Sequence, residues 1–116
     1  MPTVRRRGAA AGRTARPTRP IRLLLTGFGP FPGMPVNPTE AIVRGIAARG
    51  LAAPVPVRLT ARVLPTEWGA LPTLEALVRA VRADVVLLNG VASGAGLVRL
   101  ERTARNRTGA SLPDEA

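Results

Sequence analysis

The sequence predicts an α/β layer structure with a mostly parallel sheet, because strand-like and helical segments alternate and each strand is closed by glycine or proline. The run "IRLLLTG", beginning at Ile21, is short, apolar and stopped by Gly27, as a strand buried on both faces should be. In "VPVRLTARVLP", Val57, Leu59, Ala61 and Val63 alternate with other positions in the manner of a strand. "DVVLLNG" is a second doubly apolar run, closed by Gly90, and is expected to be a buried strand.

Two helical patterns fill the gaps. In "NPTEAIVRGIAARG", Asn37 is a good N-cap, Pro38 fits the first helical position and Glu40 stands where a capping box places its acid. Ala41, Ile42, Ile46 and Ala47 then predict the apolar face, and Gly50 the stop. In "TEWGALPTLEALVRAVR", Leu74, Leu77, Val78 and Val81 recur at helical spacing, with Pro72 marking a kink or a start. Downstream, "ASGAGLVRLERTARNRTGASLPDEA" reads as loop with a strand expected from Leu97 to Ala104. Three or four strands and two helices correspond to the amino-terminal half of a layered domain, with sheet edges and helix faces left to be covered.

Composition narrows the function. All seventeen basic residues are arginine against seven acids, giving a formal charge of +10, and six of those arginines precede Ile21. Residues 1–20 lack periodicity and are built mainly from Arg, Ala, Gly, Thr and Pro, so a disordered basic tail is expected there, with an ordered domain over 21–116. A basic chain can bind nucleic acid, but the only aromatic outside one turn is Trp68 and no nucleic-acid motif is present, which makes that partner a weak expectation. Arginine with no lysine also fits a GC-rich coding bias. With no Cys and no His, the chain contains no disulfide, no Cys/His metal site and no complete thiol or Ser-His-Asp set. No run approaches the roughly 20 apolar residues that span a bilayer, so a cytoplasmic location and no membrane partner are expected.

Ligands of parallel sheets lie beyond the carboxyl ends of the strands. The turns at Thr26–Gly33, Pro65–Thr66 and Asn89–Gly90 should therefore meet at one rim, with Phe28 and Phe31 upon it. The glycines of "GFGPFPG" do not have dinucleotide spacing, Pro30 and Pro32 remove two N–H donors, and no lysine is available for a Walker motif.

Four pieces, "LLLTGFGPFPGMPVNPTEAI", "RVLPTEWGAL", "ADVVLLNGVA" and "RLERTARNRTGASLPD", resemble in order and spacing the amino-terminal portion of the pyroglutamyl peptidase I (pyrrolidone-carboxylate peptidase) family. The resemblance spans Ile21 to about Glu115. It implies a three-layer α/β/α sandwich, here an incomplete half, and a cytoplasmic cysteine peptidase that removes pyroglutamate from peptide amino termini without cofactor or metal. It further implies that Phe28 and Phe31 pack against the lactam ring, that Asn37 and Thr66 belong to the substrate site, and that Leu112 is an apolar wall. Glu101 matches the acid of the family's Glu, Cys and His set; an oligomer is compatible with the resemblance.

From the residues alone, Asn37 reads equally well as a helix cap and Thr66 as a cap of the second helix. Glu101 reads as a solvated acid among Arg99, Arg102 and Arg105. The chain departs from the family at Val91, Ala95, Gly109, Ser111 and Glu115, and above all in lacking Cys and His, so it is expected to be inactive alone. The alternative from another class is a non-catalytic remnant that binds pyroglutamyl ends.

Overall fold

The computed structural model describes residues 19–105, so residues 1–18 of the expected tail and Leu112 lie outside the described residues. The elements are β1 (Ile21–Phe28), α1 (Pro38–Arg49), β2 (Val57–Leu64), α2 (Ala70–Val81) and β3 (Val85–Leu88). The fold is α/β: β1 lies at the centre of a three-stranded parallel sheet, with β2 and β3 on its two sides. Ile21 stands opposite Val57 and Phe28 opposite Leu64, while Leu23 to Thr26 run opposite Val85 to Leu88.

The chain steps from β1 to β2 in one direction and from β2 across β1 to β3 in the other. With both crossovers right-handed, as such units nearly always are, that reversal sends the two helices to opposite faces of β1. Gly27 lies against α1, whereas Leu24 and Thr26 alternate to the other face and are still 0% exposed. The buried apolar residues among those described are Leu24, Leu25, Val43, Leu64 and Ala70.

Asn37 caps α1 as expected, its side chain accepting from the Thr39 N–H, and Gly50 ends the helix at φ 80°. Glu40 does not close a capping box. It pairs instead with Arg44 one turn on, at 2.8 Å. The buried face of α1 is also turned from the expected one: Thr39 and Val43 are buried while Ile42 is 48% exposed. The cause is the anchoring of Thr39 to the end of β1, which points the i, i+4 position Val43 inward and rotates Ile42 aside.

In α2, Pro72 occupies the first turn, where its missing N–H has no intrahelical partner to lose. Gly69 is the N-cap and gives no side-chain bond; at the other end Arg82 takes the left-handed conformation at φ 54°. Two expectations fail. No strand forms over Leu97 to Ala104, which is irregular. β3 forms where expected, but its four residues are 37–53% exposed rather than buried, because among the described residues it pairs with β1 on one edge only and its faces are left uncovered.

At the amino end of the sheet, Asp84 fastens β1 to β3. Its carboxylate accepts from both terminal nitrogens of Arg19 at 2.8 and 2.9 Å, from the Arg22 N–H at 2.8 Å and from the Arg22 guanidinium at 3.2 Å. The Asp84 N–H in turn donates to the Arg22 carbonyl at 2.8 Å. The Arg19 hydrogen bonds, then those from Arg22, hold the Asp84 carboxyl well below the usual carboxylate range.

Two outcomes are expected. A Cβ added at Gly27 would lie 2.6 Å from the Thr39 carbonyl oxygen and 2.9 Å from Val43 Cγ2, so Gly27→Ala must push α1 off the sheet. Denaturant unfolding of the dilute chain should show a loss of about 1–3 kcal/mol. For Asp84, the depressed folded pKa means that the unfolded state takes up the proton first as pH falls. Its contribution is therefore complete above about pH 4, the unfolded value, and is lost as pH falls from there toward the folded value. Asp84→Asn should melt lower than the parent by a constant margin from neutrality to that point, and the margin should shrink in more acid buffers.

Candidate functional site

The carboxyl end of β1 runs into a turn held by a network of buried polar groups. Gly29, the residue after the strand, donates its N–H to the Leu64 carbonyl at 3.0 Å, extending the β1–β2 ladder by one bond. Its carbonyl accepts two side-chain donors, Asn37 Nδ2 at 3.0 Å and Thr66 Oγ1 at 3.1 Å. One carbonyl thus joins the β1 end, the start of α1 and the turn after β2. The expectation that the first two of the three turns meet at a common rim is met at this atom.

Asn37 is 2% exposed, and its amide orientation is dictated by its partners. The Gly29 carbonyl can only accept and the Thr39 N–H can only donate, so Nδ2 faces the former and Oδ1 the latter, at 3.0 Å each. Thr39 Oγ1 accepts from the Phe28 N–H at 2.9 Å and donates to Asn37 Oδ1 at 2.7 Å. Asn37 is therefore both a helix cap and a brace of the turn. Thr66 is not a cap of α2; its hydroxyl belongs to the Gly29 carbonyl.

The two phenylalanines sit at either end of this braced segment. Phe28 closes β1 and is half-buried. Phe31, also half-buried, exchanges backbone hydrogen bonds with Met34 at 3.1 and 2.8 Å, an isolated antiparallel bridge that tightens the loop to Gly33 at φ 83°. The third turn arrives beside them: Asn89 donates its N–H and Nδ2 to the Thr26 carbonyl at 2.9 and 3.1 Å.

Thr39 is a rim residue beyond those expected, and Asn89, expected there only as part of the third turn, contributes its side chain as well. Thr39 was legible, as the third residue of the Asn-Pro-Thr cap; Asn89 had only its place at a strand end. Glu101 is exposed in the irregular segment after β3, and no hydrogen bond or ion pair joins it to the rim or to Arg99, Arg102 or Arg105 among the described residues. Phe28, Phe31, Asn37 and Thr66 are brought together; Glu101 is not brought to them by any bond. A separate groove of about 250 Å³ between α1 and β2 is lined by Val43, Arg44, Ala47, Ala61, Arg62 and Val63, none of them a rim residue. No group of three or more Asp and Glu residues is placed to hold a metal ion among the described residues.

The chain is 40% identical over 95 residues to the pyrrolidone-carboxylate peptidase of Chromobacterium violaceum, a match covering 81% of this chain and 44% of that relative. It is 38% identical over 96 residues to the pyrrolidone-carboxylate peptidase of Streptomyces coelicolor, covering 82% and 43%. With pyrrolidone-carboxylate peptidase 1 of Ralstonia nicotianae the identity is 37% over 95 residues, covering 81% and 43%. The chain thus spans less than half the length of these curated relatives. No solved structure matches it significantly. The family model described as pyroglutamyl peptidase matches residues 21–116, which takes in every described element, and the chain belongs to that family.

Proposed function

We propose that this chain carries the pyroglutamate-recognising side of a pyroglutamyl peptidase site, and that the thiol chemistry is completed by groups it does not contain. The observation that supports this best is the convergence of Asn37 and Thr66 on the Gly29 carbonyl, which braces the turn bearing Phe28 and Phe31. A five-membered lactam is compact and apolar on its faces. Rigid aromatic rings on a turn that cannot sag suit it, because little ordering entropy is spent when it binds. Leu112 would add an apolar wall.

In the complete reaction a thiolate attacks the carbonyl carbon of the pyroglutamyl amide. A histidine gives its proton to the leaving amine, the thioester is then hydrolysed by water, and the Glu101 carboxylate orients that histidine and favours its charged form. This sequence has neither Cys nor His, so the chain alone should release nothing from a pyroglutamyl amide. The substrates are peptides with amino-terminal pyroglutamate and the compartment is the cytoplasm. No helix among the described residues is long and apolar enough to cross a membrane.

Two measurements test the reading. Calorimetric titration should give weak binding of a pyroglutamyl peptide, none of its prolyl counterpart, and loss of the former in Phe31→Ala; equal heats with both peptides, or none at millimolar concentration, would overturn it. The brace is tested by Asn37→Asp, which keeps a good N-cap acceptor but sets a carboxylate oxygen against the Gly29 carbonyl. It should leave the helical circular dichroism of α1 nearly intact yet weaken pyroglutamyl binding. Asn37→Ala, which removes the cap as well, should cost about 1–3 kcal/mol in unfolding.

A further inference from the structure

β2 lies at an edge of the sheet among the described residues, with β1 its only strand partner. The Pro56 and Leu64 carbonyls accept from the Ile21 and Gly29 N–H groups across that pair at 3.0 Å each, which fixes the phase of the ladder. In a parallel strand, alternate residues turn their backbone groups to opposite sides, so Val57, Leu59, Ala61 and Val63 offer N–H and carbonyl groups outward, away from β1. Their side chains share one face: Ala61 and Val63 line the groove of about 250 Å³ together with Val43 and Ala47 of α1. Arg58 and Arg62 alternate with them and are both exposed. Arg62 bends over the edge, where its guanidinium donates to the outward Ala61 carbonyl at 2.9 Å and meets the groove.

Unpaired edge groups are a template for a further strand, and the side chains around them select it. A strand laid beside β2 alternates as β2 does: one set of its side chains faces the apolar groove and the other lies beside Arg58 and Arg62. A second copy paired edge to edge would set those arginines against their own counterparts, a like-charge contact that disfavours it. Carboxylates at those positions match both arginines. We propose that the outer edge of β2 and the α1–β2 groove form a docking surface for an extended segment of another protein in which apolar and acidic residues alternate. The segment bonds to the outward backbone groups from Val57 to Val63, covers the groove with its apolar side chains and draws Arg62 from the Ala61 carbonyl onto a carboxylate. None of these residues belongs to the rim, so the surface stands or falls independently of pyroglutamate recognition.

The probe is a short blocked peptide of alternating valine and glutamate, titrated into the full chain of residues 1–116 and followed by amide hydrogen exchange read residue by residue. The amides of Val57, Leu59, Ala61 and Val63 should exchange about tenfold more slowly, and those of Arg58, Thr60 and Arg62, already turned to β1, should change far less. The same peptide methylated on its backbone nitrogens keeps every charge but cannot donate to the edge, and it should give no such pattern. Arg58→Gln and Arg62→Gln should each weaken binding about tenfold. Both side chains are exposed, so thermal melting of the free chain should barely move. Binding of the methylated peptide as tight as that of the parent, equal protection by a valine–lysine peptide, or binding that leaves the outward amides unprotected would overturn the proposal. So would the absence of any binding at millimolar peptide.

Discussion

The amide of Asn37 is the constraint on which the arrangement of the rim depends. It is buried, it begins α1 by accepting from the Thr39 N–H, and it donates to the carbonyl of Gly29 at the end of β1. A buried amide left without partners carries a desolvation cost of about 1–3 kcal/mol, so α1 and the turn are held to one another by the cost of separating them. Thr39 reinforces the lock, because its hydroxyl accepts from the Phe28 N–H and donates to Asn37 Oδ1. The direction of α1, the burial of Val43 and the close approach of the helix to Gly27 follow from that anchoring.

The sheet separates two polar clusters of different character. At its amino end, charged side chains meet in partly exposed surroundings: the Asp84 side chain is 29% exposed and that of Arg19 57%. Water screens such pairs, and their main effect is to set where β3 begins relative to β1. At the carboxyl end the groups are neutral, with Asn37 and Thr39 buried and Thr66 and Asn89 half-buried, and their hydrogen bonds act on the backbone itself. Between the two, Thr26 is fully buried in the middle of the sheet and its hydroxyl has no partner in the described structure. A hydroxyl kept there works against stability, so packing of its methyl group alone does not account for threonine at that position.

The parts of this fold that were legible in the sequence are those fixed by local chemistry. The Asn-Pro-Thr start of α1, the glycine stops and the apolar run of β1 each state their structure within a few residues. The meeting of Thr66 with Gly29 was legible only as a meeting of turns, because the bond spans 37 positions and the same threonine is chemically competent to cap α2. The rotation of α1 was misread for a related reason: Ile42 is more apolar than Thr39, and hydrophobicity does not register that Thr39 is tethered. The strand expected from Leu97 to Ala104 has no partner to pair with among the described residues, and a strand without a ladder is not stable in water. The ion pairs of Asp84 lie 62 and 65 positions apart and carried no local signature.

Recognition and catalysis, on the reading proposed above, would be ordered by different means. The turn bearing Phe28 and Phe31 is fixed by bonds internal to this chain, whereas Glu101 lies 13 residues beyond the end of β3 in a segment with no regular structure. Fixing a backbone residue costs roughly 1–2 kcal/mol, so ordering so long a segment needs a surface to bury it against. Leu97, Val98 and Leu100 immediately precede Glu101 and are the side chains able to supply that burial. On that reading, burial of these side chains is what would bring the Glu101 carboxylate to the histidine it orients. The turn that bears the two rings needs no such burial, because its hydrogen bonds are made within this chain.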